Sequence, residues 1–293
     1  MKKILSVILV LMLLLSLVPC AFADAASART VIGADLSEEQ TEAVYAAFGI
    51  ERGSVRELFV TNAEERSYLD GYVDSAVIGS YSISCVYVEL TEPGTGIDVT
   101  TSNITWCTGE MYVSALATAG ITDAKIMVAA PFEVSGTAAL TGIYKAYEDI
   151  TGNQLDDLAK LVSTQELTIT GELADEIGSM DSTSIVNELK LVLDETENMT
   201  DEEIRQQIVA IAGQYNVTLT DKQIGQLIDL CRSLEKLDGD ALKSRVEEVQ
   251  STLRKVSDAK TKVVTFSAKV KKVVESVSSF FDKVRKAVEV FKS

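Results

Sequence analysis

The 293-residue sequence holds 27 lysines and arginines, 44 aspartates and glutamates and no histidine, for a formal charge of −17. Without histidine the chain has no Ser-His-Asp or Cys-His catalysis and no histidine-ligated zinc site, and so acidic a molecule repels nucleic acid. Its apolar content of 46% supplies a large core or two domains, and disorder over most of the length is not expected.

The chain opens with Lys2 and Lys3, an apolar run from Ile4 to Val18, and the small-x-small sequence Ala21-Phe22-Ala23. These are the three parts of a cleavable secretory signal over residues 1–23. The run is shorter than the roughly 20 residues that cross a hydrocarbon core, and Pro19 ends it. Pro19 also stands where a lipidated cysteine at position 20 would need a small residue before it. Cleavage before Asp24 leaves 25 basic and 44 acidic residues, a charge of −19, on a protein expected to be secreted or associated with the cell envelope.

Residues 24–152 are expected to form a mixed α/β module with a small sheet. Ser37 with Gln40 makes a capping box for a helix that runs to Phe48 and closes at Gly49. Ser54 with Glu57 and Thr61 with Glu64 repeat the device and predict two further short helices. Between Arg66 and Lys125 no basic residue occurs. There Tyr81–Leu90 and Ile97–Trp106 are predicted as neighbouring strands joined by a turn around Pro93-Gly94. Thr108 caps a helix to Ala119, Ala124–Ala130 is a short buried strand stopped by Pro131, and a second helix runs from Ala138 to Ile150 before Gly152. Cys85 and Cys107 fall on the two neighbouring strands. A disulfide between them and a pair of buried thiols both stand open, since pairing Leu90 with Ile97 sets Cys85 opposite Ser102 instead. Cys231 lies on a helix face expected to be core.

From residue 153 to 240 the strand signal fades and amphipathic helices follow one another, with capping boxes at Thr200/Glu203 and Thr220/Gln223. Residues 241–293 carry a heptad: Leu242, Val249, Val256, Val263, Val270, Val277, Val284 and Phe291 recur every seven residues, beside a lysine-rich face. Residues 252–293 hold 11 basic against 4 acidic side chains, so a basic tail follows an acidic body. This long amphipathic helix has three readings: packing within the molecule, a coiled-coil surface for self-association or a protein partner, and adsorption to an anionic membrane or wall polymer. The fold class expected is thus an α+β amino-terminal module followed by an all-α region ending in that helix.

Several runs carry a likeness: Ser82-Ile83-Ser84-Cys85-Val86-Tyr87, Gly120-Ile121-Thr122-Asp123-Ala124, Ala129-Ala130-Pro131-Phe132, and Val134 through Ile143 followed by Lys145-Ala146-Tyr147-Glu148. Through them residues 83–152 resemble the YpuA-like family of exported bacterial proteins, a domain family of unknown function. The likeness extends from about Thr30 into the helical half, while the Val/Lys/Ser-rich tail departs from it. It implies a secreted protein of a Gram-positive-type bacterium and brings no catalytic residues with it.

Ser135, Gly136 and Thr137 sit where a strand loop meets a helix start, so free backbone N–H groups there suit an anion, or else Ser135 or Thr137 simply caps the helix. Ser233-x-x-Lys236 and Ser257-x-x-Lys260 match a serine-nucleophile spacing without the Ser-Asp-Asn or Lys-Thr-Gly partners that chemistry needs. Carboxylate pairs such as Asp156-Asp157 and Glu148-Asp149 point to different helix faces, and no calcium-loop spacing occurs. Tyr81, Tyr87, Tyr112 and Trp106 either line a cleft or fill the core. The sequence therefore points to a non-catalytic binding or assembly protein of the envelope, with no metal and no cofactor. The rival is an extracytoplasmic enzyme centred on Ser135–Thr137, which requires buried carboxylates converging on a concave site.

Overall fold

A computed structural model describes residues 27–71 and 75–250, with backbone alone for Ala76 and Val77. The signal at residues 1–23 and the heptad stretch from residue 251 lie outside the described residues. The described chain through Glu247 forms one compact unit.

Strand β1 (Ala28–Gly33) leads to helix α1 (Glu38–Phe48), β2 (Arg56–Val60), α2 (Asn62–Leu69) and the short α3 (Ser75–Ile78). Then come β3 (Cys85–Leu90), β4 (Ile97–Ile104), α4 (Gly109–Ala119), β5 (Ala124–Val134) and α5 (Ala139–Thr151). The helical half continues with α6 (Asp157–Ile177), α7 (Ser179–Leu191), α8 (Leu193–Thr196), α9 (Asp201–Gln214) and α10 (Asp221–Leu234), and helical turns resume from residue 239. Among the described residues no helix is long and apolar enough to cross a membrane.

The five strands make one mixed sheet in the order β2-β1-β3-β5-β4. β1 is parallel to β2, β3 is antiparallel to both β1 and β5, and β4 is parallel to β5. Alternation of side chains along the strands gives each face its own cover. Ile32, Cys85, Tyr87 and Ala129 meet Val44, Tyr45 and Phe48 of α1 on one face. On the other, α5 approaches so closely at Gly142 that an added Cβ would touch Val86 at 3.2 Å and Val31 at 3.7 Å. Capping boxes close as expected at Ser37, Thr61, Thr200 and Thr220.

Three expectations are corrected. β3 and β4 do not pair, because β5 inserts between them, with Ala129 opposite both Cys85 and Ser102. Cys85 and Cys107 consequently remain free buried thiols, and no disulfide joins them. The Ser54–Glu57 segment is not a helix: Ser54 Oγ donates to the Glu51 carbonyl, Glu57 accepts from Tyr45 Oη, and residues from Arg56 pair with β1. Finally, Pro131 does not end β5, which runs to Val134. A bulge at Asn103 absorbs the missing N–H: this residue takes φ 58°, its side chain donates to the Ala130 carbonyl at 2.8 Å, and the register resumes with Ile104 opposite Val134.

The helical half buries its own core, from Val162 and Leu173 of α6 through Leu189, Ile208 and Leu227 to Leu242 and Val246. For these first residues of the predicted 241–293 helix, the apolar stripe packs inside the molecule. α6 also receives the sheet module: Gly171 faces the Trp106 indole, whose Nε1 donates to both carboxylate oxygens of Asp175 at 3.1 Å.

Candidate functional site

Because β1, β2, β4 and β5 all run one way, Gly33, Val60, Ile104 and Val134 end at a common sheet edge, beside the start of β3 at Cys85. The segments 79–84 and 135–138 form loops at that edge. Between them lies a groove of about 380 Å³, within the usual size range of ligand sites. Ile78, Ile83 and Val134 line it, and two aromatics stand open on it, Tyr81 at 69% and Phe132 at 49% exposure. None of the lining residues is charged. Of the other aromatics considered for a cleft, Tyr87 and Tyr112 are core and Trp106 serves the seam with α6.

The structure places Ser135 and Thr137 in this groove, with their hydroxyls 3.4 Å apart. Neither caps α5: the N-cap is Ala138, which supplies no side-chain hydrogen bond. Two carbonyls of the loop are engaged. Cys107 N–H donates to the Ser135 carbonyl at 3.0 Å, and Tyr112 Oη donates to the Gly136 carbonyl at 2.5 Å. Gly136 adopts φ +93°, and a Cβ there would meet Ile104 at 2.5 Å and Tyr112 Oη at 2.6 Å. Glycine is thus required for close approach of strand ends, and the groove beside it offers an anion no cation.

Beneath the groove lies a carboxyl that the sequence reading missed. Glu65 of α2 is fully buried and accepts from Ser82 Oγ at 2.5 Å. Burial pushes its pKa from 4.5 to about 7, against the Ser82 and Asn62 hydrogen bonds, with the Asp35 and Glu64 charges adding to the rise. Ser82 is held on its other side by Asp35, whose carboxylate takes its N–H at 2.7 Å. The Thr61/Glu64 capping box beside Glu65 gives no sign of its burial, and its partner Ser82 lies 17 residues on.

A second polar centre joins α4, α6 and α7. Lys190 Nζ donates to Glu166 Oε1 at 2.8 Å, Ser114 Oγ at 3.0 Å and Thr118 Oγ1 at 3.2 Å, and Ser114 and Thr118 hydroxyls donate to the two Glu166 oxygens. Ser114 Oγ also lies 2.8 Å from Asn187 Oδ1, while Asn187 Nδ2 has no partner. A hydroxyl has one proton to give, so turning the Asn187 amide by 180° lets Nδ2 donate to Ser114 Oγ while that hydroxyl donates to Glu166. With Lys190 and Glu166 buried and hydrogen-bonded to each other and to both hydroxyls, this cluster has the chemistry of a structural network. Ser114 is buried and faces a lysine that Glu166 holds.

The remaining motifs resolve into local structure. Ser233 Oγ donates to the Asp229 carbonyl, and Ser257 and Lys260 lie outside the described residues. Asp156 caps α6, Asp157 and Glu148 both pair with Lys160, and Asp149 pairs with Arg29 and Arg56. No cluster of three metal-ligating side chains occurs among the described residues. The converging buried carboxylates that the enzyme reading requires are not in the groove: its lining supplies none, and Glu65 sits behind Ser82.

Fold and groove together define a mixed five-stranded α/β module merged with a helical half and carrying an uncharged aromatic groove at one sheet edge. The chain belongs to the DUF1002 family, described as proteins of unknown function, whose pattern matches residues 32–256. It is 38% identical to the uncharacterized protein YpuA of Bacillus subtilis strain 168, over 299 aligned positions that cover the whole of both chains. No solved structure matches the chain.

Proposed function

We propose that this protein is an exported, non-catalytic binding protein of the cell envelope, and that the Tyr81–Phe132 groove receives an apolar side chain of a protein partner. One observation carries the reading: two large aromatics stand exposed over an uncharged concavity. Exposed aromatics beside an apolar pocket are the usual anchors of protein interfaces, whereas the groove holds no acid, base or activated nucleophile. Export rests on the amino-terminal signal pattern, and the basic heptad tail supplies a second contact with a partner, another copy or an anionic surface.

A photo-crosslinking amino acid at position 81, expressed in the cell of origin, tests the groove, with the exposed Val209 of α9 as control position. A discrete adduct from position 81 and none from 209 is expected. The same pattern from both positions, or no adduct from either, would remove the groove as a binding surface. Amino-terminal sequencing of the protein recovered from the medium or wall fraction should begin at Asp24.

A further inference from the structure

On the far side of the module from the groove's loops, the carboxyl end of α4 meets the start of α6 and the segment 236–245 around a cavity of about 410 Å³. Its lining combines Leu158, Ala159 and Leu237 with Thr118, Lys236 and Arg245. Arg245 is unusual in this acidic molecule. Every other described arginine pairs with a carboxylate: Arg29 and Arg56 with Asp149, Arg52 with Glu38, Arg66 with Asp70, Arg205 with Asp221, Arg232 with Asp201. Arg245, though partly buried, makes one hydrogen bond, from Nε to the Ala117 carbonyl at 2.7 Å. Its two terminal nitrogens have no acceptor among the described residues. The two carboxylates in the lining each accept a backbone N–H, Asp156 from Ala159 and Asp238 from Ala241, and neither hydrogen-bonds Arg245.

We infer that this cavity binds a small amphiphilic carboxylic acid, its carboxylate on the free edge of the Arg245 guanidinium and its apolar body against Leu158, Ala159 and Leu237. A guanidinium offers parallel N–H donors that match a planar carboxylate, and leaving them unmet in a partly desolvated site is costly. Lys236 and Arg245 balance Asp156 and Asp238 in formal charge, so recognition of a carboxylate here rests on the paired N–H donors of the guanidinium and on the apolar wall rather than on net charge. Burial also draws the Arg245 pKa below its ordinary value, against the nearby charge of Asp238, which raises it. This site is independent of the Tyr81–Phe132 groove.

Octanoate is the probe, titrated calorimetrically into the mature chain from Asp24 to Ser293, with octanol carrying the tail alone and inorganic phosphate the charge alone. Octanoate is expected to bind, octanol and phosphate much more weakly, and Arg245→Met to weaken octanoate roughly tenfold to a hundredfold, as loss of a charged hydrogen-bond pair does. Arg245→Lys should fall between the two. Leu158→Trp, which fills the cavity mouth and leaves Arg245 in place, should also weaken binding and covers the event that Arg245→Met unfolds. Absence of octanoate binding, equal affinity for octanol or phosphate, or an unchanged affinity in both the Arg245→Met and Leu158→Trp variants would overturn the assignment.

Discussion

Lys190 and Glu166 form an ion pair sealed from water, with Nζ 2.8 Å from Oε1 and side-chain exposures of 0% and 1%. Burial draws the lysine pKa below its ordinary value, against the charge and the hydrogen bond of Glu166, which raise it. The pair ties α6 to α7, and Ser114 and Thr118 extend it into α4, the helix that follows the sheet edge.

Lys190→Met should therefore destabilise the protein by about 3–5 kcal/mol, because it strands a buried carboxylate. Lys190→Met combined with Glu166→Leu should recover much of that loss. Urea unfolding of the two variants measures the difference, and equal stabilities would show that the stranded Glu166 carboxylate carries no cost.

Glu65 makes stability fall as pH rises. Its folded pKa of about 7 lies above the ordinary 4.5, so between those values the folded protein holds a proton that the unfolded chain has released. The cost builds through this window to roughly 3 kcal/mol above pH 7. Glu65→Gln should flatten the dependence and raise stability at pH 8 relative to the parent, with little change at pH 4.5. Unfolding curves at the two pH values check it.

Glycine at 136 has two roles, and a paired substitution separates them. Gly53→Ala meets positive φ alone, at +84° with nothing within 4 Å, and should cost about 1 kcal/mol. Gly136→Ala adds the collisions with Ile104 and Tyr112 and should cost clearly more, about 3 kcal/mol. Thermal unfolding ranks them; equal losses would mean that the loop yields.

Trp106 is the single tryptophan and reports on the seam between module and helices. Gly171→Ala places a methyl within 2.4 Å of the indole ring, so it should expel the ring from α6, shift the emission to the red and lower the melting temperature. An unchanged spectrum would indicate that the ring leans elsewhere.

The thiols should be silent in the folded state. Burial pushes Cys85 and Cys107 up to about 12 and Cys231 up to about 11, so thiolate is scarce at neutral pH. A thiol reagent should titrate none of the three natively and all three in denaturant. Two missing thiols in denaturant would restore the disulfide.

The helices were legible because their start signals are local: Ser37, Thr61, Thr200 and Thr220 each find the residue three positions on. The same spacing at Ser54 misleads, since Glu57 is claimed by Tyr45 and Arg52. β1 and β2 escaped notice because each is short and is defined by the other across α1. β5 was visible as a strand, but its place between β3 and β4 is a property of the assembled sheet, and the bulge at Asn103 that lets Pro131 sit inside it shows in neither segment. Of the groove lining, Ser135 and Thr137 were singled out by the loop-to-helix pattern. Glu65, Lys190 and Arg245 were not, because a charged side chain on an amphipathic helix looks solvated until something distant in the chain covers it.

The position of β4 at the sheet border sets an order of events for the growing polypeptide. Ile97 has no ladder partner until Ala124 has been made, since β4 hydrogen-bonds to β5 alone. A ribosome thus releases this segment well ahead of its match. Its run of Asp98, Thr100, Thr101, Ser102 and Asn103 keeps the waiting strand wettable, and a chain halted before Ala124 would present a bare ribbon edge to its neighbours.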